Sequence, residues 1–171
     1  PSLEPTKKGI LRKEIFARKS IRKYTDEPVS DEMIEKLLKA AMAAPSAGNQ
    51  QPWEFVVVDD STMLAALGEV SPYSKPAGRA PLAIVPVYRT ENLRFEPMEN
   101  ILLEAVNQEL GAVWIGIAPH EDRMQDLATL LNRPEGIEPF AIIAVGHPAD
   151  EGAFAEKGRY EEARVHRNTY A

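Results

Sequence analysis

The chain has 171 residues, 44% of them hydrophobic, with a formal net charge of −6 and no cysteine. A chain of this length buries one hydrophobic core, so we expect a single domain over residues 1–171. The acidic balance argues against nucleic acid as a partner, because affinity for nucleic acid comes largely from neutralising phosphates. The absence of cysteine excludes disulfides and thiolate metal sites. No apolar run approaches the roughly 20 residues of a membrane span, so we expect no membrane partner and a cytoplasmic location.

The first third of the chain contains two predicted helices and a strand. A first helical segment ends before "ARKSIRKY", residues 17–24. The next, "VSDEMIEKLLKAAMAA", has Ser30 as a candidate N-cap, acidic residues in its first turn and apolar residues at helical spacing. Pro45 is expected to end this helix. The β-branched run "EFVVVDD" then predicts a buried strand.

Helices and strands continue to alternate through the rest of the chain. Helical spacing marks "STMLAALGEV", "MENILLEAVNQELG" and "EDRMQDLATLLN", and we expect Gly111 to stop the second of these. Apolar runs predict strands in "LAIVPVYR", "AVWIGIA" and "FAIIAVGHP". Pro86 predicts an edge position or a bulge, because proline cannot donate to a strand ladder. This order favours a layered α/β or α+β domain.

A basic segment follows the first helix. Arg18, Ser20 and Arg22 alternate, so in an extended conformation their side chains project to one side. Two guanidinium groups flanking a hydroxyl suit a phosphate or another planar anion. The alternative is a solvated basic stretch that the helix dipole favours. Lys157 and Arg159 repeat the same spacing near the carboxyl end.

The loop "APSAGNQQPWEF", residues 44–55, carries more polar chemistry than an ordinary connection needs. It sets amide side chains between two prolines, directly after a helix and directly before a strand. Sequence motifs of other enzyme classes are absent: no G-x-G-x-x-G follows a strand, and no P-loop or G-x-S-x-G elbow is present. The three histidines lack metal-ligand spacing, so we predict no metal site.

The order of these motifs resembles the nitroreductase family of flavoproteins. "RKSIRKY" is followed by a helix, by "APSAGNQQPWEFVVV", by "LGAVWIG", and finally by "GHP" and a K-x-R pair. The resemblance implies an α+β fold with a central mixed sheet flanked by helices. It further implies a homodimer that holds flavin mononucleotide (FMN) at its interface, with a carboxyl-terminal extension of each chain reaching the partner chain.

Four segments are implied to contact FMN. The first supplies phosphate and ribityl contacts and a cation at the pyrimidine edge, and the polar loop contributes from the second protomer. The strand "AVWIGIA" lies beside the hydride-accepting nitrogen, and the K-x-R pair binds phosphate. The implied cofactor-binding residues are Arg18, Ser20, Arg22, Pro45, Ser46, Asn49, Gln51, Trp114, Ile115, Gly116, Lys157 and Arg159.

The resemblance implies an FMN-dependent oxidoreductase that transfers electrons from NADH or NADPH to nitroaromatic compounds, quinones or similar flat small molecules. Without a separate dinucleotide fingerprint, donor and acceptor use the same space in turn, which predicts ping-pong kinetics. We name no protein residue as an essential catalyst, because the flavin carries the electrons. Two alternatives stay open: an FMN reservoir or sensor with little turnover, and an interaction domain without flavin.

Two stretches depart from the family pattern. "SPYSKPAGR" contains Lys75 and Arg79, to which the resemblance assigns no function. Before "NILLEA" the family carries an acidic residue and a small one, whereas Arg94–Asn100 of this chain reads "RFEPMEN", in which we expect Pro97 and Met98 to reshape the substrate-side wall. These departures keep the reservoir and interaction-domain alternatives open.

Overall fold

The computed structural model describes residues 10–91, 98–155 and 160–167. Its strands are β1 (Trp53–Val58), β2 (Leu82–Arg89), β3 (Gly111–Gly116), β4 (Ile137–Pro139) and β5 (Ala141–Gly146). They form one sheet in the order β1-β2-β5-β3, and β4 also pairs with β2. These strands all pair antiparallel. The mixed character that we expected of the sheet is limited, in the described residues, to a parallel bridge between Ser20 and Ala112.

Five α-helices accompany these strands within the same ranges. They are α1 (Ile10–Ala17), α2 (Asp31–Met42), α3 (Ser61–Leu67), α4 (Met98–Asn107) and α5 (Glu121–Leu130). Ser30 caps α2 as predicted, because its hydroxyl oxygen accepts from the backbone N–H of Met33 at 3.3 Å. None of the helices in this part of the chain is long and apolar enough to cross a membrane.

The sheet has a hydrophobic core on each face. Ile142 and Ile143 are adjacent on β5 and are both fully buried, since neighbouring side chains of a strand point to opposite faces. Ile142 belongs to the cluster that includes residues of α3 and α5. Ile143 belongs to the cluster that includes Leu37 of α2 and Ile101 of α4. The prediction of an α+β domain with a sheet flanked by helices is therefore confirmed.

Pro86 is not on an edge strand. It lies in β2, which pairs with β1 on one side and with β4 and β5 on the other. The pairing with β5 covers Leu82–Ile84 and the pairing with β4 covers Val87–Arg89, so the proline falls at the break between them. There the Phe140 N–H donates to the Pro86 carbonyl at 3.0 Å. The interruption accommodates a residue that cannot donate to a ladder.

Gly111 does not stop a helix either. Helix α4 ends at Asn107, and Gly111 is the first residue of β3. A Cβ at this position would lie 2.5 Å from Cγ2 of Ile21. The glycine therefore allows the basic segment to pack closely against β3.

Candidate functional site

The basic segment lies along the outer edge of β3. Because β3 is the last strand of the sheet order, its outer backbone groups are open to pairing. The Ile21 N–H donates to the Ala112 carbonyl at 3.0 Å, and Ser20 forms the bridge to the same residue. The side chains of Ser20 and Arg22 are exposed, and Arg22 Nη1 donates to the Ser20 carbonyl at 3.4 Å. The structure therefore places a hydroxyl and a guanidinium together at this edge.

Tyr24 anchors the segment from the inside. Its hydroxyl donates to the Ile21 carbonyl at 2.5 Å, and the Ala144 carbonyl of β5 lies 3.2 Å from the same oxygen. Burial raises the pKa of the Tyr24 hydroxyl above its usual range, against a smaller lowering by the charge of Arg22. The phenol therefore stays neutral and donating at physiological pH.

Arg18 is tied to α4. Its Nε lies 3.2 Å from Oε1 of Glu99, and the Arg18 side chain is only 24% exposed. The sequence gives no sign that Glu99 belongs to the site. An acidic residue in the first turn of a helix is ordinary, because the helix dipole favours it there. The partner of Glu99 becomes visible only when α1 and α4 are packed together.

The far end of β3 offers an open face. Trp114 is 39% exposed and Gly116 is exposed, whereas Ile115 between them is buried at 4%. A Cβ at Gly116 would meet no atom within 4 Å, apart from those of its chain neighbours. The Trp114 ring packs against Phe140, with ring centroids 6.2 Å apart. A ligand on this face can therefore contact Ile115 only through its backbone, because the Ile115 side chain points into the core.

Hydrogen bonds within the polar loop stabilise its conformation. The Gln51 N–H donates to the Ser46 hydroxyl oxygen at 3.0 Å, and Gln51 Nε2 donates to Asn49 Oδ1 at 3.1 Å. Gly48, Asn49 and Gln51 have φ values of 59°, 54° and 47°. Left-handed backbone at non-glycine residues costs about 1–3 kcal/mol and concentrates at functional sites. The loop is thus a strained, pre-arranged and exposed polar surface.

Arg89 at the end of β2 supports this loop. Its Nη2 donates to the Gln51 carbonyl at 3.0 Å, and its backbone N–H donates to the Pro52 carbonyl at 3.0 Å. Its Nε is buried and has no hydrogen-bond partner among the described residues. Arg89 was not predicted as a site residue, because a polar residue at a strand end carries no distinguishing signal in the sequence.

Within one chain these pieces form two separate groups. The loop leads into β1, whereas the basic segment runs along β3, to which Trp114–Gly116 belong, so the two groups adjoin strands at opposite edges of the sheet. Lys157 and Arg159 lie outside the described residues. Their predicted phosphate contacts, and the other predicted cofactor contacts, stay predictions.

A cavity of about 560 Å³ opens between the end of β2, β4 and α5. Tyr88, Pro119 and Arg133 are among the residues that line it. Arg133 Nη2 lies 3.0 Å from Oε1 of Glu138, which also lines the cavity. Because the charge of Arg133 is already compensated, this cavity is a poorer anion site than the basic segment.

Comparisons with known proteins agree with the predicted family. A family model described as "Nitroreductase family" matches residues 15–97. A protein of Archaeoglobus fulgidus named "Putative NADH dehydrogenase/NAD(P)H nitroreductase" is 43% identical over 170 residues, covering 92% of this chain and 97% of the relative. The chain belongs to the nitroreductase family. The predicted family is thereby confirmed.

Solved structures of nitroreductases extend the match to the fold. An FMN-dependent nitroreductase from Clostridium difficile superposes with a TM-score of 0.82 at 29% identity, over 93% of this chain and 99% of that one. A protein from Desulfovibrio desulfuricans, described as "a putative nitroreductase in complex with fmn", has a TM-score of 0.75 at 31% identity and covers 96% of this chain and 100% of its own. The nitroreductase fold therefore spans nearly all of this chain.

Proposed function

We propose that this nitroreductase uses FMN to pass electrons from NADH or NADPH to nitroaromatic compounds, quinones or similar flat acceptors. Its family confirms the enzyme class, an NAD(P)H-dependent flavin oxidoreductase, and FMN as the cofactor. The acceptor class and the kinetic order are our own inference. The observation that supports this inference is the open, exposed face at Gly116, on the same strand, β3, along which the basic segment lies.

The residues at this edge fit FMN. A phosphate needs cationic forks and hydroxyl donors, which Ser20 and Arg22 offer along β3 and Arg18 offers beside α4. A flat ring system needs backbone that it can approach closely, and Gly116 leaves such space open. When bound, FMN supplies the electron-transfer chemistry that no side chain can perform. The protein supplies position and charge.

Arg22 is proposed to stabilise the reduced cofactor. It is exposed, and its contact with the Ser20 carbonyl holds its positive charge over the edge of β3. A fixed cation near the pyrimidine edge of the flavin favours the negative charge that reduction brings. This role requires no proton transfer by the side chain.

A second copy of the chain is proposed to complete the site. The polar loop with Pro45, Ser46, Asn49 and Gln51 stands at the sheet edge opposite to β3, so it serves FMN best from the other protomer of a homodimer. Large apolar side chains are available for such an interface. They are Ile15, Phe16 and Met42, which are 58%, 49% and 53% exposed.

The carboxyl-terminal segment is proposed to reach the partner chain. In residues 160–167 every side chain is exposed, including Tyr160 at 81% and Val165 at 55%. Exposed aromatic and aliphatic side chains of this kind gain from being covered. Lys157 and Arg159, which precede this segment, are proposed as phosphate contacts.

Steady-state kinetics test the proposal. Because donor and acceptor are proposed to use the same open face in turn, initial rates with NADH against a quinone acceptor should give parallel double-reciprocal lines. Intersecting lines indicate a ternary complex and contradict the shared face. Turnover that is negligible with NADH and NADPH, and with both a quinone and a nitroaromatic acceptor, favours the FMN reservoir or sensor instead.

A further inference from the structure

An ion pair between Arg18 and Glu99 connects the end of α1 with α4 at the candidate site. Arg18 follows directly after α1, and Glu99 lies in the first turn of α4. The two helices pack together, and the ion pair joins them with Nε of Arg18 3.2 Å from Oε1 of Glu99. The Arg18 side chain is 24% exposed and that of Glu99 is 59% exposed. The arginine is thus held on one side while part of it remains accessible.

The geometry of the pair leaves the anion-binding end of Arg18 available. The closest approach to Glu99 is through Nε. The planar guanidinium carries two further nitrogens, Nη1 and Nη2, whose N–H groups are additional donors. Within the described ranges, neither of these two nitrogens has a hydrogen-bond acceptor. They form the fork that binds a phosphate through two parallel hydrogen bonds.

We propose that Glu99 is a positioning residue for the cofactor phosphate: it holds the Nε edge of Arg18 so that the terminal fork faces the FMN phosphate. The inference rests on the proposed function, in which Arg18 contacts that phosphate. A free arginine side chain samples many rotamers and loses this freedom when it binds a ligand. Holding it in advance removes part of that loss, so FMN binds more tightly.

A carboxylate at position 99 also has an effect on FMN binding that opposes positioning. A carboxylate beside the phosphate also repels it, and a purely competing Glu99 would weaken FMN binding. Because Glu99 is more than half exposed, solvent and salt screen this repulsion. Positioning and competition therefore predict changes of opposite sign when Glu99 is removed.

The experiment compares FMN with riboflavin, which has the same ring system but no phosphate. Apo-protein is titrated into each flavin, and quenching of flavin fluorescence gives Kd. In Glu99→Ala we expect Kd for FMN to rise about three- to tenfold, as for the loss of an exposed or half-buried charged contact, and Kd for riboflavin to stay within about twofold. Glu99→Gln keeps an acceptor oxygen and should recover most of the FMN affinity.

Glu35→Ala is the matched control. Glu35 is also exposed and also forms an ion pair, with Lys39 at 2.5 Å, but it lies on α2. It removes the same charge, so we expect no change in the ratio of the two Kd values. Thermal unfolding of each apo-variant reports folding, and Glu99→Ser replaces the alanine variant if that variant does not fold.

Arg18→Ala separates failure of this inference from failure of the proposed contact. If Arg18→Ala weakens FMN but not riboflavin, and Glu99→Ala leaves FMN unchanged or tightens it, only the positioning by Glu99 is refuted. If Arg18→Ala leaves the ratio unchanged, the phosphate contact itself is wrong and the inference falls with it. Positioning further predicts that Glu99→Ala has no additional effect in the Arg18→Ala background.

Discussion

Replacing Gly116 by valine should separate cofactor binding from stability. Gly116 pairs with Ala141 in the β3–β5 ladder, and a Cβ would meet no atom within 4 Å beyond its chain neighbours. A β-branched residue suits such a strand position, and losing the conformational freedom of glycine stabilises the fold by about 0.5–1 kcal/mol. For a chain of this length we therefore expect the apo-protein Tm to rise by about 1–4 °C.

The same substitution should weaken FMN binding. The added methyl groups of Gly116→Val occupy the open face that the flavin ring is proposed to approach. We expect the Kd for FMN to rise at least about tenfold, which is about 1.4 kcal/mol of binding free energy. Differential scanning fluorimetry of the apo-protein and fluorescence titration with FMN measure the two effects. Wild-type FMN affinity in this variant would refute the placement of the ring over Gly116, and a large fall in apo-protein Tm would refute the open space.

Four further substitutions test the basic segment and the predicted phosphate contact of Arg159. Gly111→Ala, at the start of β3, places a Cβ against Ile21 of the basic segment, and urea denaturation should show a loss of about 1–3 kcal/mol. Arg22→Ala should lower the FMN reduction potential and slow its reduction by NADH, as measured by stopped-flow absorbance; an unchanged potential would contradict a cation at the pyrimidine edge. Tyr24→Phe loses a hydrogen bond worth about 1 kcal/mol. Because burial raises the pKa of Tyr24 in the folded state, the contribution of Tyr24 to wild-type stability should not change with pH below its ordinary pKa of 10.0 and should decrease above that pH. In urea denaturation at alkaline pH, Tyr24→Phe should therefore show a smaller fall in stability than the wild type. Arg159→Ala should release FMN on dilution; full occupancy at nanomolar protein would argue against its phosphate contact.

The local elements of the fold could be predicted because their signals are short-range. Ser30 followed by acidic residues and apolar spacing located α2 and its cap. The fully buried β5 appeared as a continuous apolar run. Gly111 was misassigned because a glycine after a helix usually ends it, whereas here the close approach of Ile21 requires it. The three-residue strand β4 was missed because so short a strand has no period of its own.

The candidate site was predicted less completely, because its contacts join distant parts of the chain. The ion pair between Arg18 and Glu99 and the hydrogen bond from Arg89 to the Gln51 carbonyl both depend on tertiary packing. Periodicity alone could not reveal either contact. Nor could it show that the polar loop and β3 stand at opposite edges of the sheet, since the strand order is set by long-range pairing. The family resemblance assigns the loop to a second protomer, and that assignment stays a prediction.

Electron transfer through bound FMN is tested most directly by an anaerobic absorbance spectrum of the FMN-loaded protein, recorded before and after addition of NADH and then NADPH. We expect the bound-flavin band to bleach within seconds with at least one of the two donors. A quinone acceptor, added after the donor is exhausted, should restore the band. A band that persists with both donors would contradict the proposed electron transfer, and a protein that binds no FMN would contradict the cofactor assignment itself.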